Sequence, residues 1–225
     1  MITFLNVNKS YRSRGTKQTV ARDLTACFPA GQCLGLIGRN GAGKSSLLKL
    51  MAGLMRPDSG EIRRLGRVSW PVGFQGSFHP DLTGEENARF VARLYGQDSG
   101  ALLDFVQAFA DLGRYMRQPV RTYSAGMRAR LAFGLSMAVP FDTYLIDEVT
   151  SVGDAGFREK SEAMLAQRME GAGAIVVSHS LDLLRRICGP GAVLENGRLF
   201  FYQRIERAIE HHQYLQRGEL PPWLR

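Results

Sequence analysis

Eight consecutive residues constrain this chain more than anything else in it: Gly38-Arg39-Asn40-Gly41-Ala42-Gly43-Lys44-Ser45. A short, mostly apolar run, Gln32 to Ile37, precedes them and suits a buried strand, while Ser45-Ser46-Leu47-Leu48-Lys49-Leu50-Met51 opens a helix directly after. Glycines at these positions let backbone N–H groups turn inward around phosphate oxygens with no Cβ in the way. The positive end of the following helix points at the same place. In such a loop Lys44 is expected to reach the β- and γ-phosphates as a point charge and the Ser45 hydroxyl to ligate magnesium, with Ser46 beside it on the phosphates. A chance glycine turn does not supply all eight positions between a strand and a helix. The loop therefore implies a bound nucleoside triphosphate.

A second segment supplies the rest of a hydrolytic site. Tyr144-Leu145-Ile146-Asp147-Glu148 is an apolar strand that ends in two carboxylates. Asp147 is placed to hold magnesium through water, and Glu148, one residue on, to polarise the attacking water as a general base. Ala174 to Val177 is another apolar run of the kind found in parallel sheets covered on both faces. Short strands are expected over Ile2–Val7, Glu61–Arg64 and Arg67–Trp70, with a turn at Arg14-Gly15. Helices are expected over Gly84–Leu94, over Ala101–Leu112, and from an N-cap at Ser124 to about Val139. Asn196-Gly197 between Ala192-Val193-Leu194 and Arg198–Tyr202 signals a two-residue hairpin. The sum is an α/β phosphate-loop core in a single domain, 1–225. It carries an N-terminal antiparallel β subdomain, a helical subdomain inserted at about 76–140, and a short C-terminal helix and tail over 203–225. The last residues, Gly218 to Arg225, are expected to be mobile.

Composition narrows the class further. A hydrophobic share of 44% and a charged share of 22% are those of an ordinary globule with a sizeable core. The longest apolar stretch, Leu131 to Phe141, runs 11 residues and ends beside Pro140, too short for a membrane span. The first residues lack the basic start and apolar run of a secretory signal. A cytoplasmic location follows, with membrane association through a partner or the surface. Three cysteines, Cys27, Cys33 and Cys188, form no Cys-x-x-Cys pair. They are expected to be reduced core residues rather than metal ligands or a disulfide framework. The net charge of +8 would suit nucleic acid or an anionic surface, but the basic residues are scattered. The cluster Arg12, Arg14, Lys17 is too thin for a nucleic-acid patch, and no nucleic-acid partner is expected.

Taken together, the motifs resemble the ABC transporter ATPases. Thr122-Tyr123-Ser124-Ala125-Gly126-Met127-Arg128 is similar to the family's signature loop, commonly Leu-Ser-Gly-Gly-Gln. It retains Ser124 and Gly126, with Ala125 and Met127 replacing the second glycine and the glutamine. His179, in Val177-Ser178-His179-Ser180, matches the switch histidine that contacts the γ-phosphate. Asp154, in Ser151-Val152-Gly153-Asp154, matches the loop linking the two sites of a dimer, and Tyr11 the aromatic on which adenine stacks. The hinge glutamine, which senses the γ-phosphate and magnesium, is expected at Gln75. Aligning instead on Phe78-His79-Pro80-Asp81 would put His79 there.

The resemblance covers essentially the whole chain, with five or six motifs in one fixed order. It implies Mg-ATP hydrolysis by a two-fold homodimer, each signature loop serving the partner's γ-phosphate. It also implies a separate integral-membrane permease, met through a groove lined by Trp70, Phe74, Phe78 and the helix from Gly84. Ser69-Trp70-Pro71-Val72-Gly73, Phe90–Tyr95 and Asp147-Glu148-Val149-Thr150, with Val149 where most importers and drug exporters carry proline, resemble the ATPases of capsular polysaccharide exporters. Export of polysaccharide from the cytoplasmic face of the bacterial inner membrane is thus the implied function; teichoic acid, O-antigen or drug export are the alternatives. The chain ends soon after Tyr214, so the extra C-terminal sugar-binding domain of some O-antigen exporters is not expected. DNA-repair relatives need a long coiled coil between the two loops, whereas Ser124 follows Lys44 by only 80 residues.

Overall fold

The computed structural model describes residues 1–13, 16–74, 76, 78–148 and 154–224. The expected turn at Arg14-Gly15, the hinge residue Gln75, and Val149 and Ser151 to Gly153 lie outside the described residues. Two compact units emerge. One comprises Met1–Pro71, Phe141–Glu148 and Gly171–Arg225; the other comprises Val72–Pro140 and Val149–Glu170.

The first unit is built on two sheets. Strands β1 (Ile2–Ser13), β2 (Thr16–Phe28) and β4 (Ser59–Arg64) form an antiparallel sheet in the order β2-β1-β4. Strand β1 alternates in the usual way, with Ile2 and Phe4 buried. Without correction the alternation would leave Val7 facing out. A register shift between Phe4 and Val7, with Asn6 at φ 50°, returns Val7 to the core. Gly60 allows this close pass, since a Cβ there would lie 2.4 Å from the Asn6 carbonyl oxygen.

The second sheet has the order β5-β6-β7-β3-β8-β9, from β3 (Cys33–Ile37), β5 (Val68–Pro71), β6 (Thr143–Asp147), β7 (Gly173–Val177), β8 (Gly191–Glu195) and β9 (Arg198–Tyr202). All neighbours are parallel except β8–β9. Every residue of β7 is buried, as a strand covered on both faces should be. The hairpin turns through Asn196 (φ 49°) and Gly197 (φ 78°), both left-handed as the two-residue turn demands. Helix α1 (Lys44–Ala52) follows β3, and its Leu47, Leu48, Leu50 and Met51 join one core with Phe4, Phe28, Leu36, Leu145 and Ile175.

The second unit is helical: α2 (Gly84–Leu94), α3 (Ser99–Ala110), α4 (Ala125–Ala138) and α5 (Ala155–Met169). Helix α2 starts on a complete capping box, Thr83 with Glu86. Helix α3 begins two residues earlier than its apolar spacing suggests because Asp98 caps it, accepting from Ala101 N at 2.7 Å. Beyond the expected insertion, this unit takes in α5, because Phe157 joins an aromatic cluster there. Phe109 lies 5.9, 5.7 and 5.6 Å from the rings of Phe105, Phe133 and Phe157. Lys160 Nζ donates to the carbonyls of Ala108 and Phe109 at the end of α3. Phe109→Ala is expected to cost about 3–5 kcal/mol, the range for emptying a buried aromatic site. Chemical denaturation should show it, and a loss below about 1 kcal/mol would mean the cluster closes up around the gap.

Three expectations change. Trp70, expected along the permease groove, is only 7% exposed and packs edge-on against Phe141 at 5.3 Å, a core residue of the first unit. Phe90 and Leu94, one turn apart on α2, are instead the exposed apolar pair. Cys27 is exposed rather than in the core, while Cys33 and Cys188 meet Sγ to Sγ at 3.4 Å. The tail is not free over Pro222–Leu224, which form a 3₁₀ turn. Trp223 packs on Tyr214 at 5.8 Å and donates to the Tyr202 hydroxyl, which in turn meets His211 Nδ1 at 2.9 Å. Enough aromatic surface is joined there to order a terminus. Among the described residues no helix is long and apolar enough to cross a membrane.

Candidate functional site

The first unit gathers its candidate site residues at the carboxyl ends of its parallel strands, the usual place for ligands in such sheets. The loop from Gly38 to Gly43 leaves β3 and enters α1. Gly41 (φ 79°) and Gly43 (φ 101°) take left-handed conformations that other residues resist. A Cβ on Gly38 would fall 2.6 Å from the Leu194 carbonyl oxygen, so the loop depends on glycine there for space. Gly43 caps α1 without a side-chain hydrogen bond, and no acidic residue sits in the first turn. That helix end is therefore suited to an anion. Ala42 N donates to Arg39 O at 3.0 Å, and the Gln18 side chain donates to Gly41 O, tying the loop to β2.

Lys44 Nζ is held over its own loop, donating to Gly38 O at 2.8 Å and Arg39 O at 3.1 Å. Burial lowers its pKa, opposed by the negative charges of Glu148 and Asp147. These three side chains come from two places in the sequence, the start of α1 and the end of β6, and act on one another because β6, β7 and β3 are consecutive in the sheet. Asp147 ends β6, opposite Val177 of β7. Glu148 follows at φ 55°, a left-handed backbone that costs a non-glycine residue on the order of 1–3 kcal/mol. Its N–H donates to Val177 O at 3.0 Å, which holds the bend. The Glu148 carboxylate then meets His179 Nε2 at 2.6 Å. His179 sits in the turn between β7 and helix α6 (Leu181–Ile187), fixed by Ser178 and by Ser180, which caps α6. Tyr11 lies on β1, half buried, its hydroxyl meeting Met55 Sδ and Ser46 Oγ.

The second unit carries the signature-like helix start. Ser124 caps α4, accepting from Met127 N at 3.2 Å, and Ser124, Ala125 and Gly126 are exposed. Arg128 donates to Tyr123 O, and Tyr123 to Tyr115 O at 2.6 Å, so the loop is braced from behind. Asp154 caps α5 by accepting from Phe157 N at 2.9 Å and pairs with Arg130. The backbone hydrogen bond, and then the Arg130 charge, keep its carboxyl below the usual range. Gln75 is outside the described residues, while His79 is described. Asn87, 2% exposed, holds His79 through its backbone: it accepts from His79 N at 2.9 Å and donates to the carbonyls of His79, Leu82 and Thr83.

Sequence reasoning missed four residues. Asn87 stood in the sequence only as the end of a motif; its saturation of a loop's backbone shows only in three dimensions. Gln18 gave no signal. His212 and Gln216, on helix α7 (Ile205–Gln216), share an open cleft of about 380 Å³ with Gly38, Arg39, Asn40 and His179. Nothing local marks these two residues, because α7 follows the loop by more than 160 positions.

A glycine loop entering a helix, two carboxylates at the end of β6, two strands away in the same sheet, and a helical unit with its own exposed helix end define an ATP-binding cassette. The ABC transporter family matches residues 21–151. The chain is 44% identical to the polysialic acid transport ATP-binding protein KpsT of Escherichia coli, over 96% of this chain and 98% of that protein. It is 41% identical to the capsule polysaccharide export ATP-binding protein CtrD of Neisseria meningitidis serogroup B, over 96% and 100%. In fold it matches the ATP-binding cassette MJ0796, solved as a dimer with ADP and phosphate, at a TM-score of 0.73 and 21% identity over 90% and 98% of the two chains. O-antigen export ATP-binding proteins of Myxococcus xanthus and Klebsiella pneumoniae are also relatives, at 36–39% identity. The chain belongs to the ABC transporter family and is one of its ATPases.

Proposed function

We propose that this ATPase works as a homodimer that powers export of a capsular polysaccharide through a separate integral-membrane permease, from the cytoplasmic face of the bacterial inner membrane. The observation that carries this reading is likeness to capsule exporter subunits at 41–46% identity over nearly the full length of both chains. O-antigen export is the second reading, favoured by relatives of lower identity. Phe90 and Leu94, exposed on α2, suit contact with an apolar-faced helix of the permease.

The site residues divide the work. The loop N–H groups from Arg39 to Ser46 and the Lys44 ammonium bind the phosphates, with Tyr11 against the adenine. Glu148 takes the proton of the attacking water, and His179 orients Glu148 and meets the γ-phosphate. Ser124 and Gly126, at the exposed end of α4, stabilise the partner's γ-phosphate as charge moves onto it, while Asp154 links the two sites. Gln75 or His79 reports the γ-phosphate to the permease.

Magnesium fits the donors available. Among the described residues no group of three or more His, Cys, Asp or Glu side chains is placed to hold a metal. The Ser45 hydroxyl and the Asp147 carboxylate, with Gln75 at the hinge, are the few hard oxygen donors that magnesium accepts when phosphate and water supply the rest. When bound, it would neutralise phosphate charge.

Mixing two inactive chains tests the dimer. A Lys44→Ala chain and a Ser124→Arg chain should each be inactive alone, whereas their mixture should regain turnover, since a mixed dimer keeps one intact composite site. No regain in a mixture shown to associate would refute sharing of the sites. Polysaccharide export is tested by ATP-dependent transport into inverted membrane vesicles containing the co-expressed permease. O-antigen accepted in place of capsule polymer would favour the second reading.

A further inference from the structure

Two cysteines far apart in the chain touch at the end of the second sheet opposite the phosphate loop. Cys33 opens β3, and Cys188, 155 positions on, follows the last turn of α6; their Sγ atoms lie 3.4 Å apart. The backbone fixes this meeting. Cys188 N donates to Leu184 O at 2.9 Å, closing α6, and the next two residues dock on β3. Gly189 N donates to Cys33 O at 3.2 Å, and Gly35 N to Pro190 O at 3.1 Å. Strands paired in this way run about 5 Å apart, a separation that a disulfide spans. Rotation of the two side chains, with the backbone left in place, takes the sulfurs from contact to bonding distance. The thiols are also unlike. Cys33 is half-buried, whereas Cys188 is only 5% exposed. The hydrogen bond from Cys188 lowers the Cys33 pKa; the same bond, and then burial, keep Cys188 protonated. A more accessible, more acidic thiol against a protonated one is the arrangement of an attacked cysteine and its resolving partner.

We propose that Cys33 and Cys188 form an oxidisable dithiol, a modification site that a peroxide converts into a disulfide within the chain. The Cys33 thiolate attacks one peroxide oxygen. An S–O bond forms, the O–O bond breaks and hydroxide leaves, so the sulfur loses the two electrons that the peroxide gains. The Cys188 sulfur then attacks the Cys33 sulfur. The S–S bond forms as the S–O bond breaks, and the Cys188 proton leaves with the hydroxyl as water. An added dithiol reverses the bridge by exchange, itself ending as the disulfide. In a reducing compartment the pair stays as thiols until an oxidant arrives. The bridge fastens β3, which feeds the phosphate loop, to α6, which starts just after His179. Its formation is independent of bound nucleotide and of the residues that hold it.

The folded chain is exposed briefly to hydrogen peroxide, quenched, unfolded in iodoacetamide without reductant and mapped by peptide mass spectrometry. Alkylatable thiols should fall from three to one. The one left should be Cys27, exposed on β2, and a peptide cross-linked through Cys33 and Cys188 should be recovered. Dithiothreitol should restore all three. Cys188→Ser removes the resolving thiol, so Cys33 should persist as sulfenic acid and be labelled by dimedone in that variant but not in the parent. The unsubstituted chain decides the matter should Cys188→Ser fail to fold. Three results would overturn the proposal: Cys33 and Cys188 both still alkylated at a dose that oxidises glutathione in the same tube; Cys33 driven to sulfinic acid beside an intact Cys188; or a bridge that forms as readily in denaturant, where the folded contact is gone.

Discussion

Glu148→Gln is expected to lower kcat for ATP hydrolysis by about 10²–10⁴-fold, the usual worth of a general base, while ATP still binds. Glutamine fills the same space and can keep the Glu148 backbone as it is, including φ 55° and the N–H bond to Val177 O. What it removes is the ability to take a proton. It also removes the negative charge that meets His179 at 2.6 Å, leaving that histidine with a neutral partner. Asp147 and Lys44 are untouched, so the phosphates remain held. Hydrolysis then stops with ATP bound, and the variant should elute as a dimer in ATP but as a monomer in ADP. Phosphate release and size-exclusion chromatography read the two effects separately. Turnover within about threefold of the parent would remove Glu148 as the base, because a general base contributes far more than that.

Lys44→Ala should act a step earlier, raising Kd for ATP by about 10²-fold, the equivalent of losing one or two hydrogen bonds from a charged donor. The ammonium is already placed over the loop by the Gly38 and Arg39 carbonyls. Little reordering is needed for it to meet phosphate. Truncation removes the charge and also leaves those two carbonyls without the donor that braces them, so the loop loses shape as well as attraction. Lys44→Arg should not restore affinity, since a planar fork does not replace a compact point charge in so small a space. Calorimetry with ATP checks both variants, and affinity within a factor of about three in Lys44→Ala would show that backbone N–H groups alone carry the phosphates.

Both variants address residues that were legible early, and the reason is that their signals are local. A phosphate loop needs left-handed glycines, a strand before it and a helix after it, all within a few residues of chain. The hairpin at Asn196-Gly197 and helix α2 from Gly84 to Leu94 were readable for the same reason: turn chemistry and capping are matters of immediate neighbours. Helix α3 was displaced by two residues because apolar spacing outweighed the cap at Asp98. Trp70 could equally have lined a groove or filled a core, and no local pattern separates these outcomes.

The amino-acid order by itself determined that this chain has a phosphate loop, an acidic strand end and a signature-like helix start, arranged as in the ABC ATPases. The tertiary structure alone decided that Glu148 and His179 meet, that α5 belongs with the inserted helices, and that α7 brings His212 and Gln216 to the loop. The physical reason is that these contacts follow from sheet order and core packing. Strand β3 is flanked by β7 and β8, both far from it in the chain, and the side chains at their ends meet only after the buried faces of the strands have been covered.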